Sequence, residues 1–166
     1  MSALILGNIF SFLYAVCIAI SVIKKNKKDL IMWQVLDITF NMLSNVVLHA
    51  YAALASNSVG LVRNFLAYKG KLSRNVTYTL FVVTIVIGVW NNNLGFIGLL
   101  PVIASSSYTI CMYTTKNDQQ MRWALVPNLI MWVIHDLYVQ AYPAAIVNAL
   151  LSIWTAIQIY RNRNRQ

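Results

Sequence analysis

Amide and ionisable side chains recur in this sequence where little else is polar. Asp37, Asn41, Asn45 and His49 follow one another every four residues, which places them on one face of a helix, with Ser44 beside them. Asn128, Trp132, Asp136 and Gln140 repeat that spacing in the second half, with His135 next to Asp136. Groups of this kind can bind a polar solute, pass a proton, or hydrogen-bond one helix to another. His135 with Asp136 and His49 are of a type that can ligate a metal, but no further ligand is spaced to help and no metal site is expected. Asn64 and Asn148 each follow a histidine by 13 to 15 residues. Arg63 is the one cation set inside an apolar stretch. It can bind a carboxylate or other anion, pair with Asp37 or Asp136, or run its stem out to lipid headgroups.

Enzymatic constellations are missing. There is no glycine-rich phosphate loop, nucleophile elbow, zinc-protease histidine pair or paired carboxylate. Neither an enzyme nor a cofactor is expected. Cys17 and Cys111 lie in apolar runs and form no metal or disulfide pattern.

The surroundings of these residues are apolar. Of 166 residues 59% are hydrophobic and only 10% charged, well below the roughly 25% charge of soluble domains, so a lipid bilayer is the expected partner. The apolar runs predict helices at 3–23, 30–54, 56–68, 76–90, 94–114, 121–140 and 143–160. The third and fourth are short for a span, which leaves a five-helix or re-entrant arrangement to be weighed. The first run has no positive residue before it and Lys24, Lys25, Lys27 and Lys28 after it, the reverse of a cleavable signal peptide.

Charge placement favours seven spans. Lys69, Lys71 and Arg74 follow the third run, Lys116 and Arg122 the fifth, and Arg161, Arg163 and Arg165 the seventh. The connectors at 55–58, 91–93 and 141–143 carry none, so 12 of the 13 cations fall on one side, the cytoplasmic side by the positive-inside rule. Deleting the third span would flip everything after it. The expected topology is N-terminus outside and C-terminus in the cytoplasm. The Asn75-Val76-Thr77 sequon then lies on the cytoplasmic side, and the dispersed cations form no nucleic-acid-binding face. Trp33, Tyr51, Trp90, Tyr113, Trp123 and Tyr160 near the span ends read as interfacial anchors.

The two halves align faintly. Lys25 to Asp29 with Trp33 matches Lys116 to Gln120 with Trp123, and Val47-Leu48-His49-Ala50-Tyr51 matches Val133-Ile134-His135-Asp136-Leu137, pairing His49 with His135 and Asn64 with Asn148. The expected fold is all-α: two parallel three-helix repeats, 1–70 and 94–166, joined by a linker helix in 71–93. Pro101 and Pro127 sit within spans as kinks or hinges, and Ser105, Ser106 and Ser107 add a polar patch.

Leu100-Pro101-Val102-Ile103, Met121-Arg122, Met131-Trp132-Val133-Ile134-His135-Asp136 and the basic C-terminus resemble the YgjV family of bacterial inner-membrane proteins, most clearly from 99 to 165. The resemblance implies that membrane as the location and brings no activity with it. The three-plus-one-plus-three plan is similar to SWEET sugar facilitators and PnuC vitamin transporters, although the PnuC-type Trp-x-x-Trp-x-x-Tyr pattern is absent. By the SWEET likeness Asn64 and Asn148 are pocket residues. The reading is a transporter or facilitator of a small polar solute, with Asp37, Asn41, Asn45, His49, Arg63, Asn64, Asn128, Trp132, His135, Asp136 and Asn148 as solute-facing candidates. The alternative is a non-transporting scaffold or accessory subunit whose polar residues only hold helices together. A homo-oligomer is left open.

Overall fold

The structure is a computed structural model that describes residues 2–23, 27–115 and 118–163. Seven α-helices fill the described residues: α1 (Ala3–Ile23), α2 (Lys27–Val47), α3 (Tyr51–Tyr68), α4 (Arg74–Trp90), α5 (Gly95–Thr114), α6 (Asp118–Tyr138) and α7 (Tyr142–Arg163). Lys24, Lys25, Lys116 and Arg165, with the side chains of Lys27, Lys28 and Arg163, lie outside what is described. α1, α5 and α7 are long and apolar enough to cross a bilayer, and α4 is a shorter apolar helix.

Burial is inverted relative to a water-soluble bundle. Phe12, Val86, Ile146, Leu150 and Trp154 are exposed, whereas Asp37, Asn45, Arg63, His135, Asp136 and Asn148 are buried. A bundle that hides its amides and shows its aliphatics places its low-energy surface against hydrocarbon.

The break between α2 and α3 lies at Leu48 to Ala50, not at 55–58, so α3 has 18 residues and, at about 1.5 Å each, reaches about 27 Å. The sequence hid this turn because it has no Gly, Pro or Asn. His49 supplies the left-handed residue itself, with φ 57°. The chain closes the helix end with Ala50 N donating to Asn45 O at 2.8 Å and His49 N to Val46 O at 3.2 Å. The α6–α7 turn is built the same way: Gln140 has φ 62°, Ala141 N donates to Asp136 O at 2.8 Å, and Gln140 N to Leu137 O at 3.2 Å. These matching turns set a register of 91 residues between the halves. By that register His49 corresponds to Gln140 rather than to His135, and Asn148 to Asn57 rather than to Asn64.

Six helices make a ring in the order α1, α2, α3, α5, α6, α7, with α7 returning to α1. α4 packs outside it against α3 and α5. Gly88 makes that possible, since a Cβ there would come 2.5 Å from a Val102 methyl. Ser73 caps α4, its side chain accepting from Val76 N at 3.4 Å. α5 and α6 continue through Pro101 and Pro127.

The two turns and the α4–α5 connector meet at one end. Asn8 of α1 donates to Gln140 O at 2.9 Å and accepts from Tyr142 N at 3.1 Å. Asn93 donates to His49 O at 2.6 Å and accepts from Tyr51 N at 3.4 Å. Each turn is thus held by an asparagine from outside its own helix pair. Below them Tyr14, Ala50, Ala53, Val139, Ala141 and Ala144 pack into an apolar cluster. Small residues let the helices close tightly there.

Candidate functional site

A cavity of about 450 Å³ occupies the middle of the ring, and all six ring helices line it. Its upper wall is near the turn end. Asn57 lies seven residues beyond Ala50, about 10 Å along α3, and Tyr14 and Asn148 are at similar depth. These three are buried, and the apolar cluster above them closes that end. Gln34, Ala67, Met112 and Leu125, which line the opposite end, are only half-buried. Access is therefore from the end away from the two turns.

Arg63 is 6% exposed and turns inward rather than toward headgroups. Its Nε and Nη2 both donate to Asn64 Oδ1 at 3.2 Å, and its Nη1 donates to Thr109 Oγ1 at 3.1 Å and to Ser105 O at 3.5 Å. The guanidinium carbon stands 4.8 Å from the Tyr108 ring centre. Neither Asp37 nor Asp136 pairs with it, and every partner it has among the described residues is formally neutral. Asp37 and Asn41 of α2 line the same cavity.

The other candidates divide into lining and supporting groups. Asn64, Asn128, Trp132 and Asn148 line the cavity. Asn128 is tethered to α5, its Nδ2 donating to Ala104 O at 2.6 Å. Asn45 does not line it and donates to Asn41 Oδ1 at 3.1 Å. His135 and Asp136, 0% and 1% exposed, sit behind the wall, with His135 Nδ1 3.2 Å from Asp136 Oδ1. Asn148 Nδ2 donates to Asp136 Oδ2 at 2.9 Å, and Tyr14 OH donates to Asn148 Oδ1 at 2.9 Å, so the network ends at the cavity. The Trp132 ring stands edge-on to His135 at 5.8 Å. His49 is exposed in its turn, 2.8 Å from Tyr51 OH through Nδ1, and remote from the cavity. Ser105 lines the cavity, Ser106 bonds within its own helix to Ile103 O, and Ser107 is exposed.

Sequence reasoning missed Asn57, which it placed in a connector. Asn57 is 8% exposed, lines the cavity, and its Nδ2 has no hydrogen-bond partner among the described residues. The signal was present: Ala50-Tyr51-Ala52-Ala53 recurs 91 residues later as Ala141-Tyr142-Pro143-Ala144, and this pairing brings Asn57 onto Asn148. Tyr14 and Tyr108 were missed because tyrosines in apolar runs read as packing residues. His135 Nε2 is also buried without a partner among the described residues. No three His, Cys, Asp or Glu side chains cluster as metal ligands among the described residues.

The polar interior and apolar exterior describe a membrane protein, and comparison with known proteins decides which. A family model, Imp-YgjV, bacterial inner membrane protein, matches residues 5–166. The chain belongs to this family. Members of Imp-YgjV are described by location, a bacterial inner membrane, and the apolar helices fit that location. No curated protein and no solved structure gives a significant match.

Proposed function

We infer that the chain is a transporter or facilitator that carries a small polar solute across the bacterial inner membrane. The observation that carries this reading is the cavity: a space of about 450 Å³ at mid-bundle, lined by Asp37, Asn41, Asn57, Arg63, Asn64, Asn128 and Asn148 and closed at one end only. Polar groups in a membrane interior are costly, and a solute-binding role accounts for gathering so many of them around one open space. A scaffold would have its polar side chains meet one another. Here Arg63 pairs with Asn64 and Thr109, Asn45 with Asn41, and Tyr14, Asn148, Asp136 and His135 form a chain, yet these bonds lie along the walls and leave the centre of the ring open.

The proposed architecture is seven spans with the N-terminus outside and the C-terminus in the cytoplasm, arranged as helix triplets in 1–70 and 94–166 with α4 as linker. The outside position of α4 in the helix ring and the matching turns at His49 and Gln140 support it. The three turn-end connectors carry no cations, while Lys69, Lys71 and Arg74 lie at the other end, which is the cytoplasmic one on this reading. The cavity then opens inward, and rocking of one triplet against the other would expose it to the periplasm. The likeness of plan to SWEET and PnuC carriers is part of this proposal.

Purified chain in liposomes, offered a panel of small polar solutes, should take up at least one, with Arg63→Gln and Asn64→Ala slowing uptake. If nothing on a broad panel moves, and Arg63→Ala leaves both folding and host growth untouched, the scaffold reading replaces this one.

A further inference from the structure

Two opposite charges, Arg63 and Asp37, line one cavity without forming an ion pair. Their neighbours explain what the space between them can accept. Asn57, Gly60 and Asn64 follow one another along the cavity face of α3, with Arg63 at its edge. A Cβ built on Gly60 would come 3.6 Å from Arg63 Nη2 and, apart from the adjoining backbone of its own helix, would meet no other atom within 4 Å. The guanidinium edge therefore lies over open space that any larger side chain at residue 60 would fill. Asn57, one turn of α3 further toward the closed end, presents a buried amide hydrogen with no acceptor among the described residues. Nη2 spends only part of its donor capacity, on an Asn64 oxygen it shares with Nε.

A charged donor and a neutral donor, set either side of a missing side chain, describe a seat for an anion. The planar guanidinium edge suits a carboxylate. One cation, with Asp37 in the same cavity, matches a single negative charge and opposes a second one. Asp37 and Asn41 on α2 offer acceptor oxygens to a donor at the solute's other end. The volume is near the lower end of ligand pockets, roughly 300–1,000 Å³, so the molecule is small.

We propose that the solute, on the transporter reading above, is a small monocarboxylate bearing an amine or hydroxyl at its far end. Its carboxylate is seated against Gly60 between Arg63 and Asn57, and its donor faces Asp37 and Asn41.

The test is calorimetric titration of the purified full-length chain with β-alanine, 3-hydroxypropionate, propionate, ethanolamine and inorganic phosphate at millimolar concentrations. β-Alanine and 3-hydroxypropionate bind, propionate binds more weakly, and ethanolamine and phosphate do not. Arg63→Gln weakens the carboxylates roughly tenfold or more. Gly60→Val, which keeps every polar group but fills the seat, does the same while eluting as the wild type in gel filtration. The proposal is overturned if no carboxylate binds the wild type, if ethanolamine or phosphate binds best, or if both variants bind carboxylates unchanged. Carboxylate binding on these terms without uptake into liposomes removes the transport reading and leaves the seat. Uptake of a neutral or cationic solute that is indifferent to Arg63→Gln does the opposite.

Discussion

Tyr14 of α1 donates its phenol hydrogen to the Asn148 side-chain oxygen of α7 at 2.9 Å, joining the first and last helices of the ring beside the cavity. Asn148 spends its other end on Asp136, so a single amide is fixed from both sides. The two ends of this bridge have unequal consequences. Asn148→Ala strips a buried carboxylate oxygen of its donor and should cost about 1–3 kcal/mol, whereas Tyr14→Phe removes one neutral bond and should cost about 1 kcal/mol or less. Thermal unfolding in detergent measures both, and equal costs would contradict the bridge as described.

The crossing of α4 over α5 depends on Gly88. A larger residue there collides with Val102, so Gly88→Ala should lower stability by about 1–3 kcal/mol and Val102→Ala should recover most of that loss. Rescue in the double variant is the decisive reading. Two independent, additive losses would show that the contact does not exist.

Asn8 and Asn93 each make two hydrogen bonds across a left-handed turn. Each alanine replacement should cost about 1 kcal/mol, lowered by exposure to water. Because the turns are separate, the costs should add in the double variant to within about 0.5 kcal/mol. Hydrogen exchange should rise locally at Tyr51 in Asn93→Ala and at Tyr142 in Asn8→Ala.

Orientation is open to labelling. In a Cys17→Ser, Cys111→Ser background, Asn91→Cys should react with an impermeant maleimide in intact spheroplasts, and Lys71→Cys only after permeabilisation. Both positions are exposed, so accessibility is set by the side of the membrane. The reverse pattern would invert the topology and turn the cavity mouth outward.

Much of the helical order was legible because apolar runs and charged connectors announce themselves; α1 begins and ends where hydropathy places it. The α2–α3 turn was not legible, since a histidine in left-handed backbone leaves no compositional mark and Ala-rich sequence continues on both sides. That error propagated. It shortened α3, put Asn57 at the connector end of the predicted 56–68 helix, and led the repeat to be aligned on its two histidines, which the structure sends to different places, His49 to an exposed turn and His135 to the buried interior. Arg63 could be singled out from sequence because an intramembrane charge is rare. Its partners could not be named, because Asn64, Thr109, Ser105 and Tyr108 are neutral groups that periodicity alone does not distinguish from ordinary helix packing.

Both formal charges on the cavity wall, Asp37 and Arg63, belong to the first half of the chain, and the second half contributes only neutral side chains to it. Arg63 touches α5 solely through a hydroxyl, a carbonyl and a ring. The seam between the halves is thus free of ion pairs at the cavity among the described residues. Sliding one half past the other there separates charge-assisted hydrogen bonds of about 1.5–3 kcal/mol each, where parting a buried ion pair would require about 3–5 kcal/mol. The formal charges facing the cavity thus come from α2 and α3 alone, and α5, α6 and α7 present a neutral wall to them.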